Sequence, residues 1–432
     1  MALGLLTPLK SSPTECLLKK AAETPVWVTV FVHGAVKAEW LFNSLFRVMT
    51  DSVEGSTYEK AVTSVRNDPY FFYNHAMQEV GLKKIDLHKE TSSLGARGVA
   101  NLYDQITALA QKTPTIQYYY TFGWSGLMSS NIRLNESEKL YDELYSEVQK
   151  ITKEHHINPK IRLIAYSHGG NVCLNLAQIK NNLHDACIRV DELILVGSPV
   201  QSETDYLVAD PMFKKIYNFY SPDDLVQPAD LFSSKGSRRT FKSRSSFTVP
   251  DKLKQIRVKV ARYNQRNKKM ELPLPVPLDY KKNVIKKSFM NPGHIELWYL
   301  GWTTSTLYRQ KFPLHPFPMV DFVSFITAQI ENMPRMGTNI TVTLHPQQEI
   351  MAVKSKRSEY KKNVPFVSLS KLALLQEEAT RYKPDEDFYR EYETRIDEAL
   401  RFARSSKNGG VVRILKEDGK SYKISKAAMC LH

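Results

Sequence analysis

The apolar positions come in short, nearly unbroken runs separated by amphipathic stretches. Val26 to Val32 reads Val-Trp-Val-Thr-Val-Phe-Val, a β-branched and aromatic run that predicts a buried strand. Ile116 to Phe122, Ile161 to Tyr166, Glu192 to Val196 and Ile216 to Tyr220 predict further strands. Between them, Asn135 to Lys153 carries Leu140, Leu144, Val148 and Ile151 at helical spacing, and Val172 to Ile179 reads as a second helix. Trp40 to Met49 also reads as a helix, and residues 51–110 mix aromatic and polar positions as a helical cap would. Strands alternating with helices predict an α/β fold, a mostly parallel central sheet flanked by helices on both faces. Further on, Ile256 to Val260 is strand-like, and Phe317 to Asn332 closes the core as a helix. Past Pro334, Ile340 to Leu344 and Val411 to Leu415 suggest strands, and Asp385 to Arg404 a charged helix. The expected organisation is an N-terminal extension over 1–24, one α/β domain over 25–333, and a C-terminal extension or small appended module over 334–432. No internal repeat is evident.

Charge changes this picture in one place. The net charge is +15, and residues 231–290 hold seventeen Lys or Arg against three acids, so one segment carries +14 of it. That segment is expected to be a basic insert, solvated or facing an anionic partner. The four cysteines, Cys16, Cys173, Cys187 and Cys430, have neither metal-ligand nor disulfide-framework spacing, which argues against a disulfide scaffold and fits a reducing compartment. No apolar run reaches the 18 residues of a membrane span, and Met1 to Leu9 is too short, with no basic residue ahead of it, for a signal peptide. A cytoplasmic protein, membrane-peripheral at most, is the expectation.

The candidate chemistry sits where strands end. Ile161 to Tyr166 runs into Ser167-His168-Gly169-Gly170 and then directly into a helix, the strand–turn–helix layout of a nucleophile elbow. The residues two before and two after the serine, Ala165 and Gly169, are small, as such a turn requires. The first strand ends in His33-Gly34-Ala35, the strand after the elbow in Gly197-Ser198-Pro199, and Ile216 to Tyr220 in Ser221-Pro222-Asp223-Asp224-Leu225-Val226-Gln227-Pro228. Asn291-Pro292-Gly293-His294 supplies a histidine in a turn. A second serine turn, Gly123-Trp124-Ser125-Gly126, lacks a small residue two after Ser125 and an immediate helix, so it reads as a structural or pocket-lining loop.

Over about residues 25–333 these motifs resemble the α/β-hydrolases of the lipase/esterase type. The Ser-His-Gly-Gly elbow and the Gly-Ser-Pro turn are similar to those of triacylglycerol lipases and bacterial lipase-like proteins. The departures are Ala165 in place of the first elbow glycine and the long basic stretch between acid and histidine. The resemblance implies an α/β-hydrolase fold, a triad of Ser167, Asp224 and His294 in the chain order serine, acid, histidine, and an oxyanion hole from the N–H groups of Ala35 and His168. Asp224-Leu225-Val226-Gln227-Pro228 favours Asp224 over Asp223, and His315 is the runner-up to His294. No metal or organic cofactor is implied.

A serine hydroxyl becomes a useful nucleophile only when an imidazole takes its proton and an acid holds that imidazole. The expected function is therefore hydrolysis of carboxylic esters, those of lipids first, with the basic segment holding an anionic membrane or headgroup near the site. The alternative is a non-catalytic protein of the same fold that binds an anionic membrane or nucleic acid through residues 231–290. Nucleic acid is the less expected partner, because a pure binder has no need of the full serine, acid and histidine set.

Overall fold

Ten strands form one sheet in the computed structural model, which describes residues 24–36, 53, 55–74, 79–89, 94–111, 113–183, 188–224, 226–227, 237–261, 263–264, 269–270, 290–298, 312–333, 336–355, 361–383, 386–405, 412–415 and 421–424. The expected extension over 1–24, all but its last residue, and the helix expected over 40–49 lie outside these residues. The strands are β1 Val26–Val32, β2 Gly81–Ile85, β3 Ile116–Gly123, β4 Lys160–Tyr166, β5 Val190–Val196, β6 Phe213–Tyr220, β7 Leu253–Val260, β8 Asn339–His345, β9 Ile350–Ser355 and β10 Lys361–Pro365. Their order across the sheet is β10-β9-β8-β7-β6-β5-β4-β1-β3-β2. All pairs from β3 to β8 are parallel, and β2, β9 and β10 add antiparallel edges. The mostly parallel α/β architecture expected from the alternation is therefore present.

The continuous apolar strands follow from burial on both faces. Successive side chains point to opposite sides, so Phe31, Ile164, Tyr166, Ile194 and Val196 join one core, while Val30, Val32, Leu163, Ala165, Leu193 and Leu195 join the other. Helices α3 (Leu94–Ala108), α6 (Val323–Glu331) and α7 (Leu369–Arg381) cover the first face. Helices α4 (Ser130–His155) and α5 (Gly169–Leu183) cover the second. Helices α1 (Thr57–Arg66) and α2 (Pro69–Asn74) lie between β1 and β2 in sequence, and α8 (Glu386–Ser405) packs on α1.

Three expectations are corrected. The domain boundary at 333/334 does not exist in the sheet: β8 pairs parallel with β7, and β9 and β10 follow, so these three strands belong to the central sheet and not to an appended module. The stretch 231–290 is not a single insert either, because β7 within it is an interior strand between β6 and β8. The expected helical cap over 51–110 contains an edge strand, β2, beside α1, α2 and α3. Among the described residues no helix is long and apolar enough to cross a membrane.

The chain leaves β1 toward β3 on one side and returns to β4 on the other. The crevice at the carboxyl ends of β1 and β4 is therefore a topological switch point, where open α/β sheets bind their ligands.

Candidate active site

The switch point holds Ser167. Its φ of 49° is left-handed, uncommon for a residue with a side chain. The neighbours impose that turn. The Ser167 N–H donates to Val196 O at 3.0 Å, continuing the ladder of β5, while the Gly170 N–H donates back to Ser167 O at 3.0 Å and starts α5. A Cβ at Gly169 would lie 2.3 Å from His33 O, and one at Gly34 would lie 2.8 Å from Ser167 Cβ. Both glycines are thus required by close approach of the β1 end to the elbow. Ala165 is tolerated because its Cβ packs in the core on the α4/α5 face.

His294 Nε2 lies 3.2 Å from Ser167 Oγ, and His294 Nδ1 lies 2.9 Å from Asp224 Oδ2. Asp224 is fully buried, and its other oxygen, Oδ1, accepts from the N–H groups of Val226 at 3.0 Å and Gln227 at 3.2 Å. Those bonds replace the water that a buried carboxylate loses. An acceptor at Nδ1 fixes the tautomer: Nδ1–H donates to Asp224, and Nε2 is left as the acceptor for the serine proton. Asp223, the alternative acid, instead faces Asn291, whose Nδ2 donates to its Oδ1 at 3.4 Å. His315, the alternative histidine, lies in the turn before α6, with its carbonyl accepting from Gln376. Burial and the Lys383 charge depress its pKa.

Ala35 follows Gly34, which packs against the serine, and His168 follows the serine directly, at the entrance to α5. The positive end of a fifteen-residue helix thus begins two residues after Ser167. Gly123-Trp124-Ser125-Gly126 is the strut of this corner. The Trp124 N–H donates to His33 Nε2 at 3.0 Å, its indole N–H donates to His33 O at 2.7 Å, and the rings stack at 5.6 Å. His33 Nδ1 therefore carries the proton and donates to Gly34 O at 2.6 Å. The Val36 N–H donates to Gly126 O at 3.0 Å, so both ends of the His33–Val36 segment are tied to one loop.

Several further residues support this arrangement. Gly197 has φ +60°, and a Cβ there would lie 2.9 Å from Leu297 Cδ1 and 3.1 Å from Asp224 Oδ2. The Tyr166 hydroxyl donates to His294 O at 2.9 Å, and its ring lies 4.7 Å from the imidazole and stacks on Trp298. Glu296 accepts from the Gly293 N–H at 2.8 Å and so fixes the histidine turn. Arg239 donates from Nε and Nη2 to Asp224 O, at 2.9 and 2.5 Å. Only proximity to the motifs could have flagged Tyr166 and Glu296. Nothing in the local pattern distinguishes Arg239 from the other cations of its segment.

Several of those cations are committed internally. Arg244 pairs with Asp205 at 2.7 Å, Lys254 with Glu331 at 3.5 Å, and the Lys252 ammonium caps the carbonyls of Ala209, Asp210 and Phe213. Arg238 and Lys242 remain exposed on the stretch after the acid loop. No protein-family model matches the chain, and no curated protein matches it.

Proposed function

We propose that the chain is a serine hydrolase of the α/β-hydrolase fold that cleaves carboxylic esters through an acyl-enzyme on Ser167. The observation that carries this reading is the unbroken line of acceptors and donors from Ser167 Oγ through His294 to Asp224, at 3.2 and 2.9 Å. The strand order supports the fold assignment. The serine ends β4, the acid follows β6 two strands further across the sheet, and the histidine follows β7 in sequence.

The geometry performs the reaction as follows. Ser167 Oγ attacks the ester carbonyl carbon as its proton passes to His294 Nε2, and the imidazolium is held through Nδ1–H by Asp224. The carbonyl π electrons move onto oxygen, where the N–H groups of Ala35 and His168 meet them. Collapse of the tetrahedral intermediate breaks the bond to the alcohol, which leaves with the proton from Nε2. Water then attacks the acyl-enzyme, His294 again takes the proton, and the acid is released with Ser167 restored. Preorganised donors in a corner closed by Gly34 and Trp124 supply the largest share of such rate enhancements.

Lipid esters are the proposed substrate class. The support is the cationic stretch after the acid loop, where Arg238 and Lys242 stay exposed, together with the remaining basic positions of residues 231–290. Hydrolysis of p-nitrophenyl acetate against p-nitrophenyl palmitate, in wild-type protein and in Ser167→Ala, tests both halves. Turnover lost in the variant supports the enzyme, and preference for the longer chain supports the lipid assignment.

A further inference from the structure

Helix α8 lies near the C-terminus, more than 200 residues after the elbow, yet its contacts lead to the oxyanion corner. It packs on α1 through Ile396, Leu400 and Ala403 against Ala61, and through Ala399 against Val65 of α1 and Phe71 of α2. Its polar edge is matched as well. Arg395 Nη1 donates to both oxygens of Asp68 at 2.9 and 3.0 Å, its guanidinium lies 4.5 Å above the Tyr70 ring, and the Tyr70 hydroxyl donates to Phe388 O at 2.7 Å. The opposite end of α1 faces the site. Tyr58, in its first turn, is 1% exposed, and its hydroxyl lies 3.3 Å from Gly126 O and 3.4 Å from Val36 O. One hydroxyl proton is thus shared between the carbonyl next to the oxyanion residue Ala35 and the loop that braces it. The side chains of Val36, Tyr58 and Val62 pack in one small cluster with Leu127.

We propose that α8 sets the activity of the Ser167 site by holding α1, and through Tyr58 the Val36 end of the oxyanion segment, in its working position. The inference rests on the ester-hydrolase reading above. Tyr58 is a positioning residue: it touches no reacting atom and acts through Ala35. The physical basis is that donors in an oxyanion hole must meet the developing negative charge within a few tenths of an ångström, so a loop freed at one end loses transition-state stabilisation before it loses substrate binding. Trp124 braces the His33 end of the segment, while the Val36 end is held by its N–H bond to Gly126 O and by Tyr58, through which α1 reaches it.

The test uses full-length Tyr58→Phe, which removes only the shared proton, and Ala403→Glu, which places a charge in the α1–α8 contact far from Ser167. Leu400→Ala is a milder release of the same contact should Ala403→Glu not fold. Turnover of p-nitrophenyl acetate, the rate of phosphonylation by a fluorophosphonate probe and thermal unfolding are measured on each. In Tyr58→Phe, kcat and the phosphonylation rate fall about tenfold with KM within about twofold, less than the 100-fold or more lost on deleting an oxyanion donor outright. The α8 variants move the same way. Folded variants with wild-type kcat and wild-type phosphonylation overturn the proposal, as does a loss of kcat matched only by a loss of folded protein. If wild type labels at Ser167 while the variants match it, this inference alone fails. If folded wild type neither labels nor turns over ester, the hydrolase reading fails and this inference with it.

Discussion

Nδ1 of His294 lies 2.9 Å from Oδ2 of Asp224, a carboxylate shielded entirely from water. Because that oxygen only accepts, it selects the imidazole tautomer that can take the Ser167 proton. Asp224→Asn keeps the size but offers an amide N–H, which turns the imidazole to the tautomer with a proton on Nε2. We expect kcat for p-nitrophenyl acetate to drop on the order of 10⁴-fold with little change in KM. Stopped assays at fixed protein concentration check this, and a drop below about tenfold would remove Asp224 from the mechanism.

Gly197 is where the acid, the histidine and the sheet come closest. Its φ of +60° disfavours a side chain, and an added Cβ would lie 3.1 Å from Asp224 Oδ2 and 3.4 Å from His294 Nδ1. Gly197→Ala is expected to lower the unfolding free energy by about 1–2 kcal/mol for the backbone alone. It should also lower kcat by more than this loss of folded protein explains, because the methyl group wedges the acid away from the imidazole. Chemical denaturation measured beside turnover separates the two effects.

Arg239 grips the carbonyl of Asp224 from the basic segment, through Nε and Nη2. Arg239→Ala should loosen the acid loop and reduce kcat about tenfold, equivalent to about 1.4 kcal/mol and the low end for hydrogen bonds from a charged donor. Substitution of exposed Lys242, in the same segment, should leave kcat on soluble esters unchanged. Equal effects from both would mean that charge, and not the contact with Asp224, matters there.

The motifs were legible because they are local. An elbow, a His-Gly strand end and a Gly-Ser-Pro turn each need small residues within a few positions, and these stand out in any reading of the chain. Interior strands such as β1 and β4 were legible for the same reason, since burial on both faces leaves an unbroken apolar run. Edge strands were not. β2 reads Gly-Leu-Lys-Lys-Ile and β10 Lys-Lys-Asn-Val-Pro, and an edge exposed to water carries lysines that hide the strand pattern. The false boundary at 334 has the same origin. Parallel pairing of β8 with β7 joins segments separated by the histidine turn and α6, and no local period records such a partnership. Helix α7 was readable in hindsight, with Ser368 capping Lys371 N and Leu372, Leu375 and Ala379 facing inward. Arg239 and Tyr58 were beyond reach, because their roles depend on what they touch across the fold.

Asp321, fully buried where the short 3₁₀ turn leads into α6, gives a pH prediction outside the site. Burial alone raises its pKa well above the ordinary carboxylate value, so the folded protein holds it protonated where the unfolded chain, with a pKa of about 4, has released the proton. The folded state then binds more protons than the unfolded state, and stability falls as pH rises from about 4 toward the folded pKa. Asp321→Asn removes this dependence. Its melting temperature should exceed that of wild type by a margin that widens from pH 4 to pH 8, measured by calorimetry in buffers of matched ionic strength. A margin independent of pH would contradict the assignment of Asp321 as a neutral buried acid.

An activated Ser167 is a nucleophile that reacts with electrophilic phosphorus. Treatment of the folded protein with a fluorophosphonate probe, followed by mass mapping of the labelled peptide, tests it most directly. One phosphonate is expected, on Ser167, formed in wild type, absent in Ser167→Ala and slowed severely in His294→Ala. Folded wild-type protein that remains unlabelled, or a Ser167→Ala variant that labels as well as wild type, would contradict it.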